Sequence, residues 1–234
     1  MTPGEAARME LDRAFPDLKK VGWLGPQVKL FSRQIPLYYA GPYKGELYYV
    51  DLSGAYWQVY RCLQLDVKYP CGRGVCSLTP VGEALKEWKQ ARNSVIGVCR
   101  SRSATGVKGR RVYQLATTNR YLAPELWATV CGILQFLATF AIRTCHAQYV
   151  NTDGYIFHSE SGFDIFTAAL RSWGIAFKTE RGPGEIRGWG NYEVGGKRAG
   201  RRSEVGAQCA AFDNLEAPFP GLFDWWLRQK ERIE

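Results

Sequence analysis

Histidine is scarce in this chain, and its cysteines show no paired spacing. The 234 residues include only two histidines, and the seven cysteines contain no CxxC pair. Cys71 and Cys76 stand too far apart for a zinc knuckle, so a structural zinc site has few candidate ligands. An odd number of scattered cysteines with apolar neighbours favours reduced thiols and an intracellular protein.

Secretory and membrane-spanning signals are also lacking. The first 20 residues carry charges throughout and contain no apolar core of a signal peptide. Residues 126–142 have no charge, but they reach only the lower limit of a spanning helix and include Gln135. Pro124 and Glu125 are typical of a helix N-terminus, so this stretch predicts a buried helix in a protein without a membrane partner.

Acidic residues are outnumbered by basic ones. The chain has 31 Lys and Arg against 22 Asp and Glu, a formal net charge of +9. This excess favours an anionic partner, either nucleic acid or an acidic membrane surface, although it could simply keep a basic enzyme dispersed. With 46% hydrophobic and 23% charged residues, a disordered chain is excluded, and the length predicts one or two domains.

Two aspartates end apolar segments. Asp51 closes the strand-like run YYVD, and Asp153 lies at the tip of YVNTDGY, which predicts two short strands around a tight turn. An acid at the end of a buried strand is costly unless it is solvated, paired or metal-bound. On neighbouring strands the two could hold Mg²⁺, or Mn²⁺, with substrate phosphates completing the shell, as in two-metal phosphoryl transfer. Aspartate is also common in turns for local hydrogen bonding.

A helix predicted over residues 81–98 has one polar face. At about 100° per residue, Lys89, Arg92 and Asn93 share that face, and Gly97 would let a ligand approach closely. Arginine grips phosphate oxygens in a fork and lysine acts as a point charge, so the face suits a triphosphate. An ordinary solvated helix face is the alternative. The opposite face is apolar, with Ala84, Trp88, Ala91, Val95 and Val98.

Taken together, these segments resemble the core of family B DNA polymerases, most of all the protein-primed branch of phages and linear plasmids. Residues 51–56 (DLSGAY) resemble motif A, D-x-x-S-L-Y, and residues 89–97 resemble motif B, K-x-x-x-N-S-x-Y-G. Residues 149–153 (YVNTD) resemble motif C, Y-x-D-T-D. Residues 39–41 (YAG) resemble the Y-x-G-G/A element, and Tyr192 aligns with the tyrosine of K-x-Y.

The resemblance implies a role for each residue of the catalytic motifs. Asp51 and Asp153 would be the catalytic metal ligands. Tyr56 would lie under the incoming sugar and exclude a ribose 2′-hydroxyl. Lys89 and Asn93 would contact the triphosphate, and helical geometry adds Arg92 to them.

The resemblance also implies a path for DNA. Tyr39 and Gly41 would contact the template strand, and Tyr192 would support the primer terminus. Arg187 and Lys197 lie close to Tyr192 in the sequence and are further candidates for DNA binding.

Four positions depart from the family pattern. Asn151 replaces the first aspartate of motif C, and an amide brings no negative charge to a metal. Gly54 replaces the motif A serine, and Ile96, which falls on the polar helix face, replaces the motif B tyrosine. Gly190 replaces the lysine of K-x-Y.

The resemblance implies an α+β right-hand fold. An N-terminal segment (1–36) would precede an antiparallel palm sheet built from 37–80 and 119–180. Short helical fingers would span 81–118, and a reduced thumb or tail would span 181–234. No D-x-E motif of a proofreading exonuclease is present, so proofreading is not expected.

The expected function is a template-directed DNA polymerase that adds dNTPs to a primer 3′-OH. Its partners would be primer–template DNA and dNTPs, with a terminal protein or a separate exonuclease chain as accessories, in the cytoplasm of a bacterial or phage-infected cell. Two alternatives stay open. One is a degenerate polymerase fold kept as a nucleic-acid-binding module, and the other is a primase or terminal transferase.

Overall fold

The computed structural model describes residues 1–28, 36–100, 103–108, 111–188, 190–200 and 220–232, without the side chains of 103–108, 111–118, 197–200 and 220. These residues form seven α-helices and twelve β-strands. The helices are α1 Pro3–Ala14, α2 Ala55–Tyr60, α3 Thr79–Ala84, α4 Lys89–Arg100, α5 Pro124–Arg143, α6 Glu160–Ser172 and α7 Pro220–Glu231. The strands are β1 Lys20–Trp23, β2 Leu37–Tyr39, β3 Tyr43–Leu52, β4 Gln64–Tyr69, β5 Gly72–Ser77, β6 Ser103–Lys108, β7 Arg111–Thr118, β8 Tyr149–Asn151, β9 Gly154–Phe157, β10 Phe177–Gly188, β11 Asn191–Val194 and β12 Lys197–Gly200.

The chain divides into two compact units. The first comprises Met1–Phe31, Val59–Val130 and Arg228–Glu234, and the second comprises Ser32–Gln58 and Cys131–Leu227. The boundary near residue 58 differs from the expected one near residue 80. The boundary falls near residue 58 because β4 and β5 pair with β1. These strands form a separate three-stranded sheet of order β1-β4-β5.

In the first unit, helix α1 packs against α3 and α4. Its N-terminus carries a capping box, in which Thr2 and Glu5 satisfy each other's backbone N–H groups. The helix predicted over 81–98 is two helices, because α3 ends at Ala84 and the chain turns around the buried Leu85 before α4 begins. Strands β6 and β7 form an antiparallel ribbon.

The second unit is built on a seven-stranded sheet of order β12-β11-β10-β3-β9-β8-β2. All of its neighbouring strands are antiparallel. Along the chain, the main elements of this unit follow in the order β3, α5, β8, β9, α6 and β10. In the sheet, the four strands among them lie side by side in the order β10-β3-β9-β8. This is the split βαβ arrangement of ferredoxin-like sheets. The protein is therefore α+β with antiparallel sheets.

Two strands of this sheet have positions that the sequence pattern did not predict. Strand β2 pairs with β8, so β2 and β3 are not neighbours, although residues 37–60 predict a hairpin or strand pair. Strand β10 pairs with β3 from Phe177 to Ile186. Residues 181–188 were expected in a thumb, but they belong to the same sheet as Asp51. The long ladder between β10 and β3 supplies hydrogen-bond partners for their backbone groups.

Helix α5 is the one described helix that is long and apolar enough to cross a membrane. Over its most apolar window, 67% of the helix is buried inside the protein. A helix that is apolar all round and mostly buried is typical of a protein core, as predicted for residues 126–142.

Candidate functional site

The two faces of the seven-stranded sheet differ in what covers them. Side chains alternate along a strand, so Tyr49 and Asp51 of β3 lie on one face while Tyr48 and Val50 lie on the other. The Tyr48 face is covered by α6, as Tyr48 packs on Phe163 with ring centroids 5.4 Å apart. Tyr155 and Phe157 of β9 pack on Phe166 of the same helix. Asp51 therefore lies on the face opposite α6.

Asp51 and Asp153 are neighbours in the sheet. Asp51 pairs with Gly154, the residue after Asp153. The next residue of β3, Leu52, donates its N–H to the carbonyl of Asp153 at 2.9 Å. Both aspartates are half-buried. Antiparallel pairing thus brings the two acids to the same end of neighbouring strands.

The hairpin that carries Asp153 has a strained tip. Thr152 has φ 60°, an outlier for a β-branched residue. The Asp153 N–H donates to the Asn151 carbonyl at 2.7 Å, which closes a three-residue turn around Thr152. The Thr152 N–H donates to the carbonyl of Pro36 at 2.8 Å. Such strain persists only where the surroundings determine the backbone, and it clusters at functional sites.

Both acids act on one buried phenol. The Tyr49 hydroxyl donates to Asp51 Oδ1 at 3.2 Å. Burial raises the pKa of Tyr192 on β11, the hydrogen bond from Tyr49 opposes this, and the charges of Asp51, Asp153 and Glu180 raise the pKa further.

Tyr56 lies within the electrostatic range of Asp153. It is half-buried in α2, the short helix that follows Asp51. Burial raises the pKa of Tyr56, and Cys131 and Asp153 contribute to the rise. The tight turn between Asp51 and this helix uses Gly54 at φ 62°, a conformation that glycine adopts without strain. The motif A segment is therefore folded against the motif C hairpin.

Tyr39 and Gly41 lie at the end of β2, on the far side of the β8–β9 hairpin. The ring of Tyr39 packs edge-on against Tyr149, with centroids 6.3 Å apart. The carbonyl of Gly41 accepts a hydrogen bond from Gln148 Nε2 at 3.1 Å. Tyr39 is half-buried and belongs to the rim of an aromatic cluster, so part of its ring is accessible.

The residues expected to support the primer differ in their surroundings. Tyr192 is only 9% exposed, and most of its ring is buried against other tyrosines. Arg187 is exposed and forms an ion pair with Glu185 at 2.6 Å. Lys197 is the first residue of β12, and its side chain lies outside the described residues.

Lys178 is a candidate that the sequence pattern did not reveal. It is exposed on β10 and is the direct cross-strand partner of Asp51. Directly opposed residues of an antiparallel pair project from the same face, so Lys178 brings a positive charge to the Asp51 face. No local motif marks it, because its position depends on the register between β3 and β10.

The expected triphosphate residues belong to the first unit, where α4 carries them. Lys89 and Gly97 are exposed, and Arg92 and Asn93 are half-buried. Ile96 was expected on the same face, but it is only 2% exposed. That expectation is wrong. Helices α1 and α3 both pack on α4, and they bury a wider part of its surface than the apolar face predicted from the sequence. The buried residues of α4 are Ala91, Val95, Ile96, Val98 and Cys99.

The donor atoms near Asp51 fit a hard divalent cation. Mg²⁺ binds oxygen and is usually held by one or two carboxylates together with substrate phosphates. Asp51 and Asp153 supply the carboxylates. Within the described part of the chain, no group of three or more His, Cys, Asp or Glu residues is arranged to hold a metal.

Comparison with known proteins finds no matching family model, no matching curated protein and no matching solved structure.

Proposed function

We propose that this protein is a template-directed DNA polymerase that extends a primer 3′-OH with dNTPs by two-metal nucleotidyl transfer. The observation that carries the proposal is that antiparallel pairing brings Asp51 and Asp153 to the same end of two neighbouring strands, with Asp51 paired to Gly154 and the Leu52 N–H donating to the Asp153 carbonyl. The motif order around these acids supports the same activity.

In this proposal the seven-stranded sheet is the palm of a right-hand fold and α4 belongs to the fingers. An antiparallel sheet that carries both acids is what the resemblance to family B polymerases implies for the palm. The strained tip at Thr152 supports the assignment, because it holds Asp153 in a set position beside Asp51. The 181–200 segment then belongs to the palm sheet rather than to a thumb.

Each proposed side chain has a distinct task in the reaction. Asp51 and Asp153 would hold two Mg²⁺ ions, or Mn²⁺, which when bound stabilise the attacking and leaving oxygens. Tyr56 would support the sugar of the incoming nucleotide. Lys89, Arg92 and Asn93 belong to the first unit, and their triphosphate role comes from the motif B resemblance and from helical geometry. Catalysis would depend mainly on positioning and electrostatics.

The test is primer extension with Mg²⁺ or Mn²⁺ on a labelled primer–template. We expect Asp51→Asn and Asp153→Asn each to reduce incorporation by about 10³-fold or more, since losing several kcal/mol of charge stabilisation costs tenfold per 1.36 kcal/mol. Asp164→Asn is the matched control, because Asp164 is an exposed carboxylate on α6 and should leave incorporation unchanged. Wild-type protein that incorporates nothing, or aspartate variants that stay fully active, would refute the proposal.

A second candidate function is favoured by Asn151. This residue brings an exposed amide to the motif C hairpin in place of a carboxylate, which reduces the negative charge available for a cation. A nucleic-acid-binding module without catalysis would bind primer–template tightly and incorporate nothing. Incorporation that persists without primer, or without template, would instead indicate a primase or a terminal transferase.

A further inference from the structure

Tyr49 lies directly beside Asp51 on the same face of β3. It is only 5% exposed, and its hydroxyl donates to Asp51 Oδ1 at 3.2 Å. A phenol has a single proton to donate. The Tyr49 hydroxyl therefore gives its proton to the carboxylate.

The ring of Tyr49 packs on that of Tyr192, with centroids 5.9 Å apart. The surrounding packing holds both phenols in place. Tyr192 packs on Tyr149 with centroids 5.3 Å apart, and the Tyr149 hydroxyl accepts the N–H of Gly190 at 3.0 Å. Tyr49, Tyr149 and Tyr192 belong to one buried cluster. Hydrogen bonds in such a low-dielectric setting are stronger than in water, and rigid donors define the direction of the acceptor.

We propose that the Tyr49 hydroxyl orients the Asp51 carboxylate for a divalent cation, which makes Tyr49 a positioning residue. This role rests on the proposed function, which makes Asp51 a metal ligand. By occupying one lone pair of Oδ1, Tyr49 restricts the rotation of the carboxylate. Removing such an outer hydrogen bond typically costs 10–100-fold in metal affinity.

The test is direct Mn²⁺ binding to the full chain without nucleotide, followed by the EPR signal of free Mn²⁺. We expect Tyr49→Phe to raise the Mn²⁺ Kd about 10-fold or more, because the ring is kept and only the donor is lost. Tyr43→Phe is the matched control, a tyrosine on the same strand and face, and should leave the Kd unchanged.

The second measurement is the Mn²⁺ dependence of primer extension. Tyr49→Phe should raise the Mn²⁺ concentration for half-maximal extension by the same factor, while kcat at saturating Mn²⁺ stays near the wild-type value. A purely structural role for Tyr49 would lower the melting temperature without this selective shift. An unchanged Mn²⁺ Kd in Tyr49→Phe, or an equal shift in Tyr43→Phe, overturns the positioning role of Tyr49.

Asp51→Asn separates failure of this role from failure of the proposed function. If this variant binds Mn²⁺ as well as wild type, Asp51 is not a ligand, and the proposed function falls together with the role of Tyr49. If it loses Mn²⁺ while Tyr49→Phe retains full affinity, the metal site stands and only the positioning role is refuted.

Discussion

At the scale of single residues, Gln58 ties the turn after Asp51 to the start of β10. Its Nε2 donates to the carbonyls of Ser53 at 2.6 Å and Ala176 at 2.8 Å. Its Oε1 accepts the Ala176 N–H at 2.7 Å. This amide satisfies the Ser53 carbonyl and the Ala176 N–H, and it shares the Ala176 carbonyl with the Ser53 N–H. It thus holds the Asp51 turn against the strand that carries Lys178.

Replacing this amide with an isosteric apolar group should destabilise the second unit. We expect Gln58→Leu to lower the free energy of unfolding by about 1 kcal/mol, because the Ser53 carbonyl and the Ala176 N–H lose their protein partner. The measurement is urea unfolding followed by tryptophan fluorescence.

The control for that substitution is Gln64→Leu, which changes an exposed side chain on β4. It should shift the free energy of unfolding by no more than about 0.5 kcal/mol. Equal effects of the two substitutions would show that the Gln58 hydrogen bonds contribute little.

At the scale of elements, two helical glycines have opposite surroundings. A Cβ at Gly162, in the first turn of α6, would lie 2.1 Å from the carbonyl oxygen of Cys145. A Cβ at Gly97, on α4, would meet no atom within 4 Å. Position 162 therefore requires glycine, because α6 approaches the chain after α5 too closely for a side chain. At position 97 the packing would allow a side chain, so it does not explain the glycine.

The same substitution should consequently have opposite effects at these two positions. Gly162→Ala should lower the free energy of unfolding by about 1–3 kcal/mol, because the backbone must shift to relieve the clash. Gly97→Ala should raise it by about 0.5–1 kcal/mol through helix propensity. Urea unfolding measures both changes.

Gly97→Ala also tests the motif B resemblance. If a ligand approaches α4 closely at Gly97, the stabilised variant should extend primers more slowly than wild type. A variant that is more stable and equally active would show that Gly97 is an ordinary exposed helix residue.

At the scale of the whole molecule, the net charge of +9 predicts that nucleic-acid binding depends steeply on salt. Each phosphate neutralised on duplex DNA contributes about −0.9 to the slope of log Kobs against log salt concentration. With about six phosphate contacts, affinity for primer–template should fall roughly 10³-fold between about 50 and 200 mM salt. Fluorescence anisotropy of labelled DNA measures the slope.

Asp51→Asn is the control for this electrostatic binding. The substitution removes a proposed metal ligand and no basic residue, so the salt slope should stay the same while primer extension is lost. A slope near zero for the wild-type protein would show that its positive charge is not used to bind DNA.

Several features of this protein follow from the sequence alone, because they depend on residues close together in the chain. The turn around Thr152 and Asp153, the buried helix α5 and the polar positions of α4 were all predicted from turn chemistry and hydrophobic periodicity. The candidate pair Asp51 and Asp153 came from the same local signal, an acid at the end of an apolar run.

Only the tertiary structure decided which distant segments meet. The pairing of β2 with β8 and the register that sets Lys178 opposite Asp51 depend on which strands become neighbours. Neither of these two features leaves a local periodic signal in the sequence. The burial of Ile96 is a further example. It depends on the packing of α1 and α3 against α4, and the sequence of α4 does not predict it.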